Sequence, residues 1–222
     1  MNLSETDRRY HLPTGDWDFI SSVLTKTEPE KKALFGLLTD SAIVDSLLDR
    51  VDLLASVVNR SGTIAISEFL YFYLLVRRAY LDCRLDDPNL ADYAAGALAD
   101  FSLSHCPNPG GRSAMPFVID LEEDLRRVNS SYERFFLSVR IGNFLLVATG
   151  IFHNHLEERS RRRGAPGVNY YEDFGAGIFR EAGDHPLAKE FLLEERFRQI
   201  SDTFSSSRRA LNRLSDQFLL WN

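Results

Sequence analysis

Apolar residues recur at steps of three and four along most of the chain, which is the period of an amphipathic α-helix. The clearest stripes lie within 33–38, 44–58, 90–101 and 193–221. No segment shows the alternation of apolar and polar residues that is typical of a strand. The pattern therefore predicts an all-α protein, a bundle of about seven to nine helices.

Two stretches are apolar on nearly all sides, as expected of helices at the centre of a bundle. The first covers about 66–82 and the second 131–163. From Ile141 to Phe152 the second contains no ionisable side chain, and two histidines, two glutamates and four arginines follow before Gly164. We expect both helices to be central, and any site to lie at the polar end of the second.

Small residues give the second central helix and the helix after it matching thin surfaces. The small residues of the second central helix are Gly142, Ala148 and Gly150, and those of the helix after it are Gly175 and Gly177. A glycine inside a helix costs about 1 kcal/mol relative to alanine. Glycines retained there indicate a close neighbouring backbone, so we predict that these two helices cross tightly.

The last stretch, 193–221, repeats its apolar positions at steps of four and three without a slip, like the seam of a coiled coil. The positions are Leu193, Phe197, Ile200, Phe204, Ser207, Leu211, Leu214, Phe218 and Trp221. A long C-terminal helix follows from this pattern. Its seam either closes the bundle within the chain or forms a homodimer with a second copy.

Residues 105–116, HCPNPGGRSAMP, contain three prolines and two glycines. Such a composition excludes a helix or a central strand. The segment is either a surface loop or a boundary between helical subdomains. We expect one helical domain over 1–222, with 105–116 as the only candidate subdomain boundary.

Length, charge and cysteines narrow the class of protein. A chain of 222 residues can bury a core without disulfides, and a formal charge of −6 argues against broad nucleic-acid binding. Cys83 and Cys106 lack zinc-type spacing, so two reduced thiols are favoured over one disulfide. The polar start MNLSETDRRYHL does not resemble a signal peptide.

The longest uncharged apolar runs, 69–76 and 141–152, are shorter than the roughly 18 residues that suggest a membrane span. They are typical of buried core helices instead. Together with the charge and the thiols, they predict a cytoplasmic protein that has neither a membrane nor a nucleic acid as its partner.

A metal site is one hypothesis for the polar end of 131–163. His153 and Glu157 are four residues apart on one helical face, and Glu181 and His185 repeat the pair on the next helix. A carboxylate and an imidazole from each of two helices can bind metals inside a bundle. The usual Glu-x-x-His spacing is missing, however, so the favoured cofactor prediction is none. The alternative to a metal ion is a helix end whose polar groups satisfy one another.

An anion site is a second hypothesis, because four arginines lie between 159 and 163 and two tyrosines open the next helix. Guanidinium forks match phosphate and carboxylate groups. The candidate ligand-binding residues are Arg161, Arg162, Tyr170 and Tyr171. The alternative is structural, since arginines in a last turn stabilise the helix dipole and can pair with neighbouring glutamates.

The sequence contains no serine elbow, P-loop or dinucleotide fingerprint. We therefore favour a non-enzymatic helical binding or scaffold protein, whose partner is a protein or a small anion. The alternative is a metal- or cofactor-dependent enzyme with its site at the polar end of 131–163.

Three stretches together resemble a bacterial family of all-helical proteins to which no activity is attached. They are 69–81 with 90–98, then 142–163, and then Tyr170-Tyr171 with Gly175. The positions that match the family's pattern are Gly142, Gly150, Phe152, Arg161, Arg162, Tyr170, Tyr171 and Gly175. The chain departs from it at Asn143, Ile151, His153 and Ile178-Phe179. The resemblance implies an all-helical bacterial protein and transfers no activity.

Overall fold

A computed structural model describes residues 7–59, 65–104 and 118–218, and every regular element in these ranges is helical. The all-α prediction is confirmed. A short 3₁₀ turn, Arg8–Tyr10, precedes twelve α-helices in the described ranges. They are α1 (Thr14–Leu24), α2 (Glu28–Leu37), α3 (Ser41–Leu48), α4 (Val51–Val58), α5 (Glu68–Asp82), α6 (Pro88–Ser104), α7 (Val118–Arg127), α8 (Ser131–Ile151), α9 (His153–Arg163), α10 (Val168–Asp184), α11 (Pro186–Glu190) and α12 (Glu194–Phe218).

The chain forms two compact units, one up to Ala99 and one from Asp100 onward. We call them the amino-terminal and the carboxy-terminal unit. The division falls inside α6, whereas the predicted boundary at 105–116 lies outside the described residues. Cys83 is a free, half-buried thiol, and Cys106 is also outside the described part. The expectation of one domain stays a prediction.

Helix α5 is the core of the amino-terminal unit, as its apolar pattern predicts. The Ser67 hydroxyl accepts a hydrogen bond from the Leu70 N–H at 3.1 Å and caps the helix. The same serine's backbone N–H donates to the Asp16 carboxylate of α1 at 2.7 Å. The helix then buries most of its length, from Leu70 to Tyr80. A capped start and an apolar surface on several sides together place it in the centre of its unit.

Helices α8, α10 and α12 pack together as the core of the carboxy-terminal unit. An added Cβ at Gly142 would lie 2.9 Å from the Phe179 ring of α10, so the predicted crossing of α8 and α10 is confirmed. Gly150 instead meets Leu211 of α12, at 2.7 Å. A Cβ at Gly177 would have nothing within 4 Å. The prediction of a close approach was therefore wrong for Gly177, and wrong about the partner of Gly150.

The predicted helix over 131–163 is two helices, because Phe152 leaves the helical conformation between α8 and α9. The last carbonyls of a helix have no partner within it. Here α12 supplies the donors: Asn212 Nδ2 donates to the Thr149 and Gly150 carbonyls at 2.9 and 2.6 Å, and Ser215 Oγ donates to that of Ile151 at 3.0 Å. Breaks of this kind also explain why there are more helices than the pattern predicted.

The seam of α12 is buried within one chain. Its buried positions are Leu193, Phe197, Ile200, Phe204, Ser207, Leu211 and Leu214, while Phe218 is partly exposed and Trp221 lies outside the described residues. These side chains pack in the unit that α12 shares with α8 and α10. They therefore leave little apolar surface in 193–214 with which a second copy could pair.

One helix of the described residues, Ser131–Ile151, has the length and composition of a membrane span. Its most apolar window has a mean hydropathy of 1.3, and 72% of that window is buried inside the protein. Buried core helices of this composition pass the same test, so the helix is weak evidence for a membrane.

Candidate functional site

The arginines at the end of α9 differ in their exposure and in their partners. Arg162 Nη2 forms an ion pair with Glu158 Oε1 at 2.6 Å, and both side chains are largely exposed. Arg161 is exposed as well, whereas Arg159 is buried. The side chain of Arg163 is not among those described. An (i, i+4) pair on the helix surface is the arrangement that the structural alternative predicts.

The two tyrosines of α10 also face different neighbours. The Tyr170 hydroxyl donates to Glu122 Oε1 at 3.1 Å on the surface. Tyr171 is fully buried, and its hydroxyl has no hydrogen-bond partner among the described residues. Burial raises the pKa of Tyr171, and the nearby charge of Arg159 opposes that rise. Of the predicted arginine cluster, it is thus the buried Arg159 that acts on a tyrosine.

The residues proposed as metal ligands have different neighbours in the structure. His153 Nε2 lies 3.8 Å from Asp216 Oδ1, while Glu157 is exposed. His185 Nδ1 accepts from the Leu187 N–H at 3.2 Å, and its Nε2 lies 2.8 Å from Ser131 Oγ, so this ring caps α11. In the described ranges, no group of three or more His, Cys, Asp or Glu side chains could hold a metal ion. The positions found do not fit a metal pair.

Sequence patterns missed a buried ion network around Arg9 in the amino-terminal unit. The Arg9 side chain is 2% exposed, and its Nε donates to Asp45 Oδ1 at 2.7 Å. Its Nη1 lies 3.2 Å from Asp92 Oδ2, and its Nη2 donates to Asn89 Oδ1 at 2.8 Å. Removing one partner of such a network leaves a buried charge uncompensated. The network therefore fixes the short 3₁₀ turn against α3 and α6.

A second buried arginine, Arg77 on α5, has its own set of carboxylate partners. Arg77 forms a bidentate pair with Asp49, with both nitrogen–oxygen distances at 2.8 Å, and also contacts Asp86 at 2.8 Å. Tyr73 lies one turn earlier on α5, and its fully buried hydroxyl has no hydrogen-bond partner in the described part of the chain. Burial raises the pKa of Tyr73 above its ordinary value. The sequence signal was an arginine inside an apolar run, which needed a carboxylate.

An exposed cluster of apolar side chains lies where α8 begins and α11 ends. The rings of Tyr132 and Phe136 are 4.6 Å apart between centroids, and those of Phe136 and Phe191 are 6.1 Å apart. Leu192 follows and is 89% exposed, while Tyr132 is 58% exposed. We call Tyr132, Phe136, Phe191 and Leu192 the aromatic patch. Tyr132 and Leu192 are its exposed members, and the rings of Phe136 and Phe191 are half-buried.

Buried rings hold the aromatic patch in place. Phe135 is 1% exposed and stacks on His185 at 5.0 Å between centroids. It also stacks on Phe191 at 6.2 Å. Both ring nitrogens of His185 are hydrogen-bonded, since Nδ1 accepts from the Leu187 N–H and Nε2 lies 2.8 Å from Ser131 Oγ, so the base of the patch has little freedom to move. The rings at the base of the patch therefore have a fixed arrangement.

Leu192 has a backbone that normally belongs to glycine. Its φ is 57°, in the left-handed region. Its N–H donates to the Lys189 carbonyl at 3.1 Å, and the Leu193 N–H donates to that of Ala188 at 2.7 Å. These two bonds form a Schellman motif, in which this position is usually glycine. A leucine there costs of order 1–2 kcal/mol, and the exposed side chain recovers little of it by packing. Arg84, after α5, adopts the same left-handed conformation with a φ of 63°, so what distinguishes Leu192 is its exposed apolar side chain.

The aromatic patch could have been suspected from the sequence. Phe191, Leu192 and Leu193 are three consecutive apolar residues, and only Leu193 belongs to the seam of α12. Leu193 is buried and Phe191 is half-buried, so the sequence signal is one apolar residue, Leu192, that lies outside the seam. The sequence of α8 did not reveal its part of the patch, because Tyr132 and Phe136 belong to a long helix whose other residues are mostly apolar as well.

Comparisons with known proteins gave no relative from which a function could be inferred. No protein-family model, no curated protein and no solved structure matches the chain. The resemblance to a bacterial all-helical family therefore rests on the residues quoted for it.

Proposed function

We propose that the chain is a non-enzymatic helical binding or scaffold protein of the bacterial cytoplasm, and that it binds a protein partner through the aromatic patch. The observation that carries the proposal is Leu192, a leucine held at a glycine position with 89% of its side chain exposed. Glycine is the usual residue at this position, and the leucine found there adds exposed apolar surface that a partner could cover.

The composition of the aromatic patch supports a protein partner. Interfaces are enriched in aromatic residues at their centres, and a few such residues carry most of the binding energy. Tyr132 supplies an exposed ring, and the rings of Phe136 and Phe191 lie half-buried beside it. Because Phe135 and His185 fix these rings from below, binding loses little side-chain entropy.

The test is affinity capture from a bacterial lysate with quantitative mass spectrometry, comparing three versions of the full chain. We expect the wild type to retain a partner that Tyr132→Ser with Leu192→Gly loses by at least ~10-fold, the effect of about 1.4 kcal/mol. Ile119→Ser is the matched control, since Ile119 is 64% exposed on α7 and outside the patch. Equal retention by all three would refute the proposal.

The second candidate function is an enzyme with its site near His153, and one observation supports it. The Nδ1 atom of His153 is buried and has no hydrogen-bond partner in the described ranges, and Asp216 faces the other ring nitrogen. Such a histidine can hold a metal or move a proton. Native mass spectrometry separates the candidates, because a retained metal or organic cofactor that His153→Ala releases would favour the enzyme. A mass equal to that of the chain alone would favour the binding protein.

A further inference from the structure

We propose that Phe152 is a hinge at which α8 and α9 can straighten into one helix, and that two copies of the chain then exchange the segment 153–218. Exchange of an identical segment between protomers is a low-cost route to a dimer. Three features of the carboxy-terminal unit support the proposal, and none of them involves the aromatic patch. They are the sequence around the break, the side chains that hold it, and the short connection from α9 to α10.

The local sequence does not require the break. Proline and glycine are the usual causes of one, and residues 151–163 contain neither. Gly150 comes just before and remains part of α8. The Thr149 hydroxyl donates to the Leu145 carbonyl at 2.7 Å, a bond that bends a helix without ending it. Phe152 leaves the helical conformation, with a φ of −106° and a ψ of 27°. The cause of the break therefore lies elsewhere in the fold.

Side chains of α12 hold the break. Asn212 Nδ2 and Ser215 Oγ donate to the last three carbonyls of α8. Arg208 Nη1 donates to Asn212 Oδ1 at 2.8 Å, which orients the amide so that its nitrogen faces these carbonyls. Arg208 also forms an ion pair with Glu172 of α10. The bent form of 131–163 therefore depends on α10 and α12 being in place.

A continuous helix would satisfy the same backbone groups without α12. At the start of α9, no side chain of the described residues caps the free N–H groups. In a straight helix, the N–H groups of residues 153–155 would donate to the carbonyls of residues 149–151, in the usual (i, i−4) pattern. The two helix ends that meet at the break thus complement each other, and straightening loses no backbone hydrogen bond.

A straight helix cannot keep α10 on the same copy of α8. Gly142 lies against Phe179, and further along α8 Leu145 lies against Gly175. This antiparallel register places the start of α10 level with the end of α8. At about 1.5 Å per residue, straightening would carry the end of α9 roughly 16 Å beyond that level. With helix axes about 9 Å apart, the connection 164–167 would have to span about 19 Å, more than the ~17–18 Å it covers at full extension.

A second copy offers the surface that the displaced segment needs. After the exchange, α10 and α12 pack on α8 of the other chain with the contacts that they make within one chain. The seam from Leu193 to Leu214 therefore stays buried. The homodimer that the seam pattern predicts can form in this way without any apolar surface exposed in the monomer. Because each chain gives and receives the same segment, the dimer has two-fold symmetry.

The first experiment is sedimentation velocity on the full-length protein, which is held at high concentration in mild denaturant and then returned to buffer. The wild type should gain dimer. Asn212→Ala with Ser215→Ala removes the donors that hold the break and should raise the association constant at least tenfold. Ser201→Ala is the matched control, because Ser201 Oγ donates from α12 to the Ala176 carbonyl of α10 at 2.8 Å, away from the break. If the double variant does not fold, Ser215→Ala alone removes one donor.

A proline at the start of α9 should prevent the dimer. Asn154 is exposed and is the second residue of α9, and Pro29 occupies the same position in α2. Proline is tolerated in the first turn of a helix. In a continuous helix, Asn154→Pro would remove a hydrogen bond and its ring would clash with the Gly150 carbonyl. The variant should therefore remain a folded monomer after the treatment that produces dimer from the wild type.

The second experiment measures the distance between two spin labels within one chain by pulsed electron paramagnetic resonance. The labels replace the exposed side chains of Arg140 on α8 and Arg161 on α9, in a chain with Cys83→Ser and Cys106→Ser. Excess unlabelled chain ensures that each dimer contains one labelled copy. In a straight helix these positions are about 32 Å apart, at about 1.5 Å per residue. The dimer should show this distance, and the bent monomer a shorter one.

Several outcomes would overturn the exchange. One is a monomer in both the wild type and the donor variant, and another is a dimer that Asn154→Pro forms equally well. A dimer with the label distance of the monomer would be an association of two bent copies. Leu192→Gly should leave the exchanged dimer unchanged. If it dissociates the dimer, the aromatic patch is the surface of self-association, so the failure of this inference is distinct from that of the proposed function.

Discussion

Two glycines in α10 allow the packing of the carboxy-terminal unit to be tested directly. A Cβ at Gly175 would lie 2.5 Å from Phe204 Cζ and 3.3 Å from Leu145 Cβ. Two residues later, a Cβ at Gly177 would meet nothing within 4 Å. Gly175→Ala and Gly177→Ala therefore make the same chemical change in one helix, and only the first puts a methyl group into an occupied space.

The expected difference in unfolding free energy follows from comparing the two substitutions. Each gains about 1 kcal/mol of helix propensity when glycine becomes alanine. At Gly175 the Phe204 ring must retreat by nearly an ångström to reach ordinary contact at 3.4 Å, and that ring is fully buried. Overpacking of this kind costs about 1–3 kcal/mol. Because the propensity gain cancels, the stability difference between the variants should be about 1–3 kcal/mol.

The assay is urea unfolding followed by far-ultraviolet circular dichroism on both variants and the wild type. Gly177→Ala should unfold at a higher urea concentration than the wild type, and Gly175→Ala should unfold well below Gly177→Ala. Linear extrapolation then gives the free-energy difference. If the two variants unfolded together, the close approach of α10 to α12 and α8 at Gly175 would be refuted.

Three further predictions test other parts of the structure. Gly150→Leu should lower the melting temperature by several degrees, since even its Cβ would lie 2.7 Å from Leu211; an unchanged value would contradict the packing of α8 on α12. Burial raises the pKa of Tyr73, so the unfolded chain releases that proton first, and the free energy of unfolding should fall above pH ~10 by up to about 1.4 kcal/mol per pH unit. Tyr73→Phe should reduce this slope, and identical alkaline slopes would show that the hydroxyl is not buried. Arg161→Ala with Arg162→Ala should change stability by less than about 0.5 kcal/mol because both side chains are exposed, and a larger loss in thermal unfolding would contradict this.

The helical fold was predictable from the sequence because its main signals are local. Apolar periodicity located α5, α8 and α12, and serine caps marked the starts of α5 and α8. The break at Phe152 was not predictable in the same way. It depends on donors from Asn212 and Ser215, which lie more than sixty residues further along the chain.

The candidate site was less predictable because its members meet only in the folded chain. Asp45 and Asp92 are 36 and 83 residues from Arg9, and no local pattern pairs them. The aromatic patch likewise joins α8 to the turn after α11. The sequence shows a run of polar residues near 153–171, but it could not show that Arg162 and Tyr170 pair with Glu158 and Glu122.

The capping of α8 by α12 has a consequence for how the chain is synthesised. The Thr149, Gly150 and Ile151 carbonyls receive their hydrogen bonds from residues 62 to 64 positions later. A ribosome adding about 5–20 residues per second takes several seconds to reach them. During that interval α8, a long and largely buried helix, has emerged without α12, one of the two helices that cover it. Truncation before Asn212 should therefore leave the end of α8 uncapped and its apolar surface uncovered, which favours aggregation.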